Sequence, residues 1–252
     1  MANPQVKLRN IKLVIEYDGT RFLGFQKQKK GRTVQHELEK TLLKILRERV
    51  HIIAAGRTDS GVHARGQVVN FQTRRDIPLG NLWRALNTYL PDDLAVKKAS
   101  EVRADFHSRF AAKRKVYRYR VLSGPAKSPL ARFYSYHYFY PLNLPVMRKA
   151  AKLLVGKHDF RSFQAHSNEK RSSSVRTIYR AEIKKENPFF VFVFEGNGFL
   201  YNMVRNMVGT LLWLGREKIS LKEFGKIVEG RDRRLAGPTV PAHGLMLEKV
   251  IY

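Results

Sequence analysis

The 252-residue sequence contains no cysteine, and this absence excludes several kinds of chemistry. Without a thiol the chain can form no disulfide, thiolate zinc site, iron–sulfur cluster or cysteine nucleophile. The eight histidines also lack the spacing typical of metal sites, in which two of them stand one helical turn apart with an acid nearby. We therefore expect no metal ligands among them.

Long hydrophobic runs are also absent. No apolar stretch approaches the roughly 20 residues that a membrane-spanning helix requires. The first ten residues contain no apolar core of the kind found in signal peptides. We therefore expect a cytoplasmic protein that does not enter a membrane.

Acidic residues are scarce relative to basic ones, with 21 Asp and Glu against 48 Lys and Arg, a formal charge of +27. A charge of this size predicts attraction to polyanions. The basic residues are spread through the whole chain, whereas membrane-surface binding is typical of one basic helix or cluster. Nucleic acid is thus the better candidate partner, and a basic protein without such a partner is the alternative. Hydrophobic residues make up 43% of the chain, which indicates a folded core.

The hydrophobic pattern predicts strands and helices in irregular order. We predict strands at residues 11–17, 50–55, 67–71, 94–101, 111–122, 134–140, 178–185, 189–195 and 245–252. We predict helices from the N-cap Thr33 to about residue 49, and at 79–89, 145–155, 200–214 and 221–228. This order favours an α+β fold with a mainly antiparallel sheet over a doubly wound parallel sheet. We predict two domains, residues 1–108 and 109–252.

Two further segments carry expectations of their own. The run 189–194 is apolar at every position and predicts a central strand covered on both faces. The stretch 157–176 is polar and serine-rich with little periodicity, and we expect part of it to be a mobile basic loop.

The loop Gly56–Ala64 is the most informative stretch of the sequence. Two strand-like runs flank it, and its small residues allow a sharp turn or a close approach to another molecule. Asp59, at its centre, is the only acid between Glu48 and Asp76. For an arbitrary aspartate on a loop, a hydrogen bond to its own backbone is the more common role.

Two other elements combine cationic with apolar or aromatic residues. In the predicted strand 111–122, Tyr117 and Tyr119 share one face, while Arg118 and Arg120 share the other. In the predicted helix 200–214, Arg205 lies at the border of an apolar stripe, so it need not be fully exposed.

Together these motifs resemble the TruA family of tRNA pseudouridine synthases, and the resemblance extends over nearly the whole chain. Gly56–Ala64 is similar to the signature around that family's catalytic aspartate. The other matching motifs are Tyr17-Asp18-Gly19 with Gly24-Phe25-Gln26, Lys115–Tyr119, Phe199–Gly209 and Pro241–Leu247.

The resemblance implies a role for several residues. Asp59 would be the essential carboxylate, and it would attack the ribose C1′, remove a ribose proton, or add to C6 of the uracil. Arg205 would pair with Asp59, and Tyr117 would stack on the flipped uracil. Arg57 would fill the gap left by the base or hold its phosphate, and Leu245 would form an apolar wall, with core packing an equal alternative. No metal or cofactor is implied.

The resemblance also implies a fold and partners. It predicts two ferredoxin-like halves around a central RNA-binding cleft, a homodimer, and action on uridines of the tRNA anticodon arm at tRNA positions 38–40. We expect sequence-independent contacts with the RNA backbone from basic groups. The basic residues expected to make these contacts are Lys27, Lys29, Lys30, Arg32, Lys113, Arg114, Lys170 and Arg171.

Two alternatives stay open from the sequence. A non-catalytic RNA-binding protein on a ferredoxin-like sheet would also be basic and rich in aromatic strands. It would lack a reason for Asp59 and Arg205 to occur together, and its usual Lys/Arg-Gly-Phe/Tyr motif is absent. The second alternative is a pseudouridine synthase that acts on another RNA, such as ribosomal RNA.

Overall fold

The computed structural model describes residues 8–166 and 173–252. The chain divides into two compact units: unit 1 is Met1–Lys113 with Leu247–Tyr252, and unit 2 is Arg114–Met246. Both units combine strands with helices, which confirms the α+β class.

The division differs from the predicted domains, 1–108 and 109–252, because residues 109–113 and 247–252 fall in unit 1. Three contacts tie them there. Arg65 donates to Glu248 Oε1 at 2.7 Å, the Tyr252 hydroxyl donates to the Ser108 carbonyl at 2.9 Å, and the Lys113 amide donates to the Ile251 carbonyl at 2.8 Å. A sequence read from end to end does not reveal that its last strand returns to the first unit.

Unit 1 is a mainly antiparallel sheet with two helices. Its strands follow the order β4-β1-β3-β10, with β2 on β3. The elements are β1 (Arg9–Tyr17), α1 (Val34–Leu46), β2 (Ile53–Ala54), β3 (His63–Thr73), α2 (Leu79–Tyr89), β4 (Leu94–Val102) and β10 (Leu245–Ile251), whose first two residues belong to unit 2. The alternate residues Ile11, Leu13, Ile15 and Tyr17 are buried, as the period-two pattern predicts.

Helix α1 begins at the predicted N-cap, where Thr33 Oγ1 accepts a hydrogen bond from the His36 amide at 3.3 Å. It ends at Leu46, earlier than the predicted residue 49. Arg47 adopts a left-handed conformation with φ 52°, which stops the helix.

Unit 2 has strands in the order β5-β9-β8-β7, all antiparallel, with β6 parallel to β5. The elements are β5 (Arg114–Ser123), β6 (Tyr136–Tyr138), α3 (Leu144–Leu153), β7 (Gly156–Asp159), β8 (Val175–Glu186), β9 (Phe189–Gly196), α4 (Met203–Gly215) and α5 (Leu221–Gly230). Strand β9 lies between β5 and β8, as predicted for the apolar run. Its Phe190, Phe192 and Phe194 are buried, while Val193 on the other face is half-buried.

The polar stretch 157–176, for which the sequence predicted no strand, contains strand residues at both ends. Strand β7 begins at Gly156 and pairs with β8, which begins at Val175. A four-residue edge strand is too short for its hydrophobic period to be recognised. Lys170 and Arg171 lie outside the described residues.

Within the described parts of the chain, no helix combines the length and the hydrophobicity needed to cross a membrane.

Candidate active site

Asp59 lies in unit 1 on the turn that connects β2 to β3. Gly61 has a φ of +76°, and the Val62 amide donates to the Asp59 carbonyl at 3.1 Å, which closes the turn. The Asp59 side chain is half-buried between buried Thr58 and exposed Ser60. Arg57, two positions before Asp59, is exposed.

Two buried side chains hold the turn from inside unit 1. The hydroxyls of Tyr17 and Thr58 are hydrogen-bonded at 2.7 Å, and Gln67 Nε2 donates to the Gly56 carbonyl at 2.8 Å. Burial raises the pKa of the Tyr17 hydroxyl to about 12, so this hydroxyl stays protonated at neutral pH. The backbone on the N-terminal side of Asp59 is therefore fixed.

The segment after β1 holds the turn from the other side. The Phe25 amide donates to the Thr58 carbonyl at 3.0 Å, and the Gly61 amide donates to the Phe22 carbonyl at 3.3 Å. A Cβ added at Gly19 would lie 2.1 Å from the Val62 carbonyl oxygen. The motifs Tyr17–Gly19 and Gly24–Gln26, separate in the sequence, thus form one support around the turn.

Arg205 lies in unit 2, in the first turn of α4. Its Nε donates to the Val240 carbonyl at 2.7 Å, and its Nη1 donates to Asn202 Oδ1 at 2.8 Å. Asn202 caps the helix in a left-handed conformation with φ 57°. These two hydrogen bonds, one to the N-cap residue of α4 and one to the segment before β10, therefore fix the direction of the half-buried Arg205 guanidinium.

Tyr117 and Leu245 also belong to unit 2, and both are buried. Tyr117, on β5, packs edge to face against Phe199, with ring centroids 5.1 Å apart. This packing limits the orientations available to the Tyr117 ring. Leu245 is the first residue of β10, directly after Gly244.

Tyr119 is a further residue of this region to which the sequence assigned no role. Its hydroxyl donates to the Pro241 carbonyl at 2.8 Å. A Cβ at Gly244 would lie 2.6 Å from its ring, so only glycine fits there. Burial raises the pKa of Tyr119, and the charge of Arg205 opposes that rise. The position of Tyr119 on the same face of β5 as Tyr117 was the available signal.

The basic residues expected to contact RNA differ in their surroundings. Lys27, Lys29 and Lys30 are exposed in the loop before α1. Lys27 Nζ lies 3.8 Å from Glu39 Oε2. Arg32 is half-buried and forms two shorter hydrogen bonds with Asp93, at 2.6 and 2.7 Å, so its charge is held more closely by a carboxylate. Lys113 and Arg114 are also exposed. The Arg114 Nη1 atom lies 3.0 Å from Glu195 Oε1.

Among residues 8–166 and 173–252, no three His, Asp or Glu side chains come together in a way that could hold a metal ion.

Comparison with known proteins gives a consistent result. The family model described as tRNA pseudouridine synthase matches residues 13–111 and 150–252. The chain is 47% identical over 245 residues to a tRNA pseudouridine synthase A of Thermoanaerobacter sp., covering 97% of this chain and 100% of the relative. It is 48% identical over 246 residues to that of Anoxybacillus flavithermus, with 97% and 99% covered. The protein of the same name from Clostridium acetobutylicum is 46% identical over 97% of this chain and 100% of its own length.

Proposed function

Because this chain belongs to the tRNA pseudouridine synthase family, we propose that it isomerises uridine to pseudouridine in tRNA. The observation that carries the proposal is the half-buried Asp59 carboxylate on a turn supported from both sides. A fixed backbone on both sides of a reactive group lowers the entropic cost of bringing it to the substrate.

The reaction detaches the uracil from its ribose, rotates it and joins it again through carbon. It needs no oxidant, group donor or metal. The uridine must first leave the stacked RNA, since an enzyme cannot reach the glycosidic bond inside a helix. Extrusion costs a few kcal/mol, which contacts with phosphates and stacking in the pocket offset.

Asp59 is the residue that we assign to the chemical step. Its carboxylate attacks C1′, removes a ribose proton, or adds to C6 of the uracil, and each route begins from the ionised form. We assign Arg205 as its ion-pair partner, because a guanidinium stays charged and favours ionisation of a nearby carboxyl. The two bonds that fix the direction of Arg205 support this role.

Binding of the flipped uridine is assigned to three other residues. Tyr117 stacks on the uracil, and its contact with Phe199 supports this role because it holds the ring in one orientation. Leu245 gives an apolar wall. Arg57, which is exposed beside the turn, fills the gap left by the base or holds its phosphate.

The remaining assignments concern the partner. We assign the target to the anticodon arm, and phosphate contacts to exposed residues of the basic set, with Lys27, Lys29 and Lys30 foremost. We also propose that the protein acts in the cytoplasm as a homodimer, following the family resemblance. A molar mass in solution equal to that of one chain would contradict the dimer.

The test uses unmodified tRNA carrying tritium at C5 of its uridines, with no metal or cofactor added. Forming the new bond at C5 expels that hydrogen, so the protein should release tritium. Asp59→Asn should abolish release while binding tRNA within about threefold of the unchanged protein, because the substitution removes the charge and keeps the shape.

Asp76→Asn is the matched control, since the Asp76 side chain is fully exposed in unit 1, and it should retain full activity. Turnover by Asp59→Asn would contradict the assignment of Asp59. Release from ribosomal RNA but not from tRNA would contradict the proposed substrate.

A further inference from the structure

The loop between β4 and β5 displays an aromatic pair on the surface of unit 1. Phe110 is 78% exposed, and its ring stacks on that of His107 with centroids 4.2 Å apart and an angle of 28° between the planes. A single exposed apolar side chain is ordinary on a protein surface. The support beneath this pair is what distinguishes it.

Two buried asparagines fix the start of the loop. Asn10 Nδ2 donates to three backbone carbonyls at 3.0, 3.3 and 2.9 Å, those of Arg103, Ala104 and Phe106. Asn70 Oδ1 accepts from both the amide and the hydroxyl of Ser108, at 2.9 and 2.7 Å. Both asparagines are 2% exposed. Buried amides that bond several backbone groups of an irregular segment hold it in one conformation.

Hydrogen bonds within the loop also hold the aromatic pair itself. His107 Nδ1 accepts from the amides of Arg109 and Phe110 at 3.2 and 3.4 Å, and the Ala111 amide donates to the His107 carbonyl at 2.9 Å. Phe110 therefore stays directed outwards, with the imidazole against one face of its ring. A flat ring held in this way can stack on a ligand with little further loss of entropy.

The charges around the pair indicate what kind of ligand it fits. The Arg109 guanidinium lies 5.7 Å from the centre of the Phe110 ring, and Lys113 is exposed on the same loop. A ligand that offers both flat rings and negative charge matches this combination, and unpaired nucleotides offer both.

We propose that His107 and Phe110 form a stacking platform for an unpaired nucleotide of the bound RNA, with Arg109 beside it for the phosphate. This proposal rests on the proposed function for the identity of the RNA. It adds a contact that lies away from the reacting uridine.

The attachment of the platform loop to the start of β1 gives that separation. Asn10, near the start of β1, holds the platform loop, whereas Tyr17, at the end of β1, holds Thr58 beside Asp59. Seven residues of extended strand span about 23 Å. The platform therefore acts on RNA affinity, not on the chemical step at Asp59.

The test compares Phe110→Ala with Phe110→Trp in tRNA binding and in tritium release at saturating tRNA. Loss of one stacked base should raise the Kd of Phe110→Ala about tenfold, while Phe110→Trp stays within about twofold. Release at saturating tRNA should be the same in both. Phe139→Ala is the matched control, because Phe139 in unit 2 is also well exposed, at 62%, and its Kd should not change.

Three results would overturn the platform while leaving the proposed function intact. They are an unchanged Kd in Phe110→Ala, an equal rise in Phe139→Ala, and a lower molar mass of Phe110→Ala without RNA, which would mean that Phe110 covers a second copy of the chain. Failure of the proposed function itself has a different signature, since the unaltered protein would then release no tritium.

Discussion

At the scale of single residues, the hydrogen bond between Tyr17 and Thr58 is one of the contacts that hold Asp59 in position. It is buried, measures 2.7 Å and joins β1 to the residue directly before Asp59. Neither hydroxyl takes part in the proposed chemistry, so Tyr17 is a positioning residue.

We predict that Tyr17→Phe lowers the rate at saturating tRNA about tenfold, because a small displacement of a reacting group is costly. The Kd for tRNA should change little. The variant should also lose about 1–2 kcal/mol of unfolding free energy, since Thr58 would lose a buried partner. Single-turnover tritium release, tRNA binding and urea unfolding measure the three quantities.

Tyr252→Phe is the matched control for that prediction. It removes a hydroxyl that donates to the Ser108 carbonyl at 2.9 Å, at the other end of unit 1. It should cost similar stability and leave the rate at saturating tRNA unchanged. Equal loss of rate in both variants would show that Tyr17 acts only through general stability.

The residue scale also shows what the sequence could predict about the site. The composition of its loop and the absence of another nearby acid drew attention to Asp59, but its catalytic role was implied only by the family resemblance and stays a prediction. The partnership of Tyr17 with Thr58 was not recognisable, because 41 positions separate two residues that meet only in the folded sheet. Arg32 illustrates the same limit, since its partner Asp93 is 61 positions away.

At the scale of elements, Gly209 in α4 controls how closely the segment before β10 approaches the helix. A Cβ at Gly209 would lie 1.9 Å from the Pro238 carbonyl oxygen. Two residues further on, Val240 accepts the bond that directs Arg205. The glycine thus connects the packing of a helix to the orientation of a site residue.

We predict that Gly209→Ala lowers the free energy of unfolding by about 2–3 kcal/mol, because the methyl group has no space. It should also reduce tritium release, since Val240 would shift away from Arg205. Gly225→Ala in α5 is the control: a Cβ there meets nothing within 4 Å, so it should stabilise the protein by about 0.5–1 kcal/mol. Urea unfolding measures the free energy of unfolding of both variants, and equal changes in the two would contradict the prediction.

The elements that the sequence predicted best were those with long periodic patterns. The alternating residues of β1 and the apolar run of β9 identified both strands. Strand β6 was predicted too long, at 134–140, and strand β7 was not predicted. Both are short, and a few residues in an edge strand form no readable pattern.

At the scale of the whole molecule, the excess of 27 positive charges predicts strongly salt-dependent binding of tRNA. We predict that replacing Lys27, Lys29 and Lys30 together by Ala weakens binding. It should also reduce the slope of log K against log salt by about 2, because roughly 0.7–0.9 counterions are released for each phosphate contact. Titrations at several salt concentrations measure the slope.

The control replaces Lys218, Lys222 and Lys226, three exposed lysines of unit 2, by Ala. It removes the same net charge, so any general effect of charge is matched. The slope of this variant should stay close to that of the unaltered protein. Equal slopes in the two triple variants would remove the loop before α1 from the RNA contact.

The return of Leu247–Tyr252 to unit 1 has a consequence for the order of synthesis. A ribosome makes most of unit 1 first, then all of unit 2, and only then the strand that completes the sheet of unit 1. At about 5–20 residues per second, the growing chain waits several seconds or longer with the part of the β3 edge that β10 will occupy still unpaired. During that interval the edge is open to wrong strand pairing. In this protein the sheet of the unit that is translated first can therefore be completed only after the other unit has been synthesised.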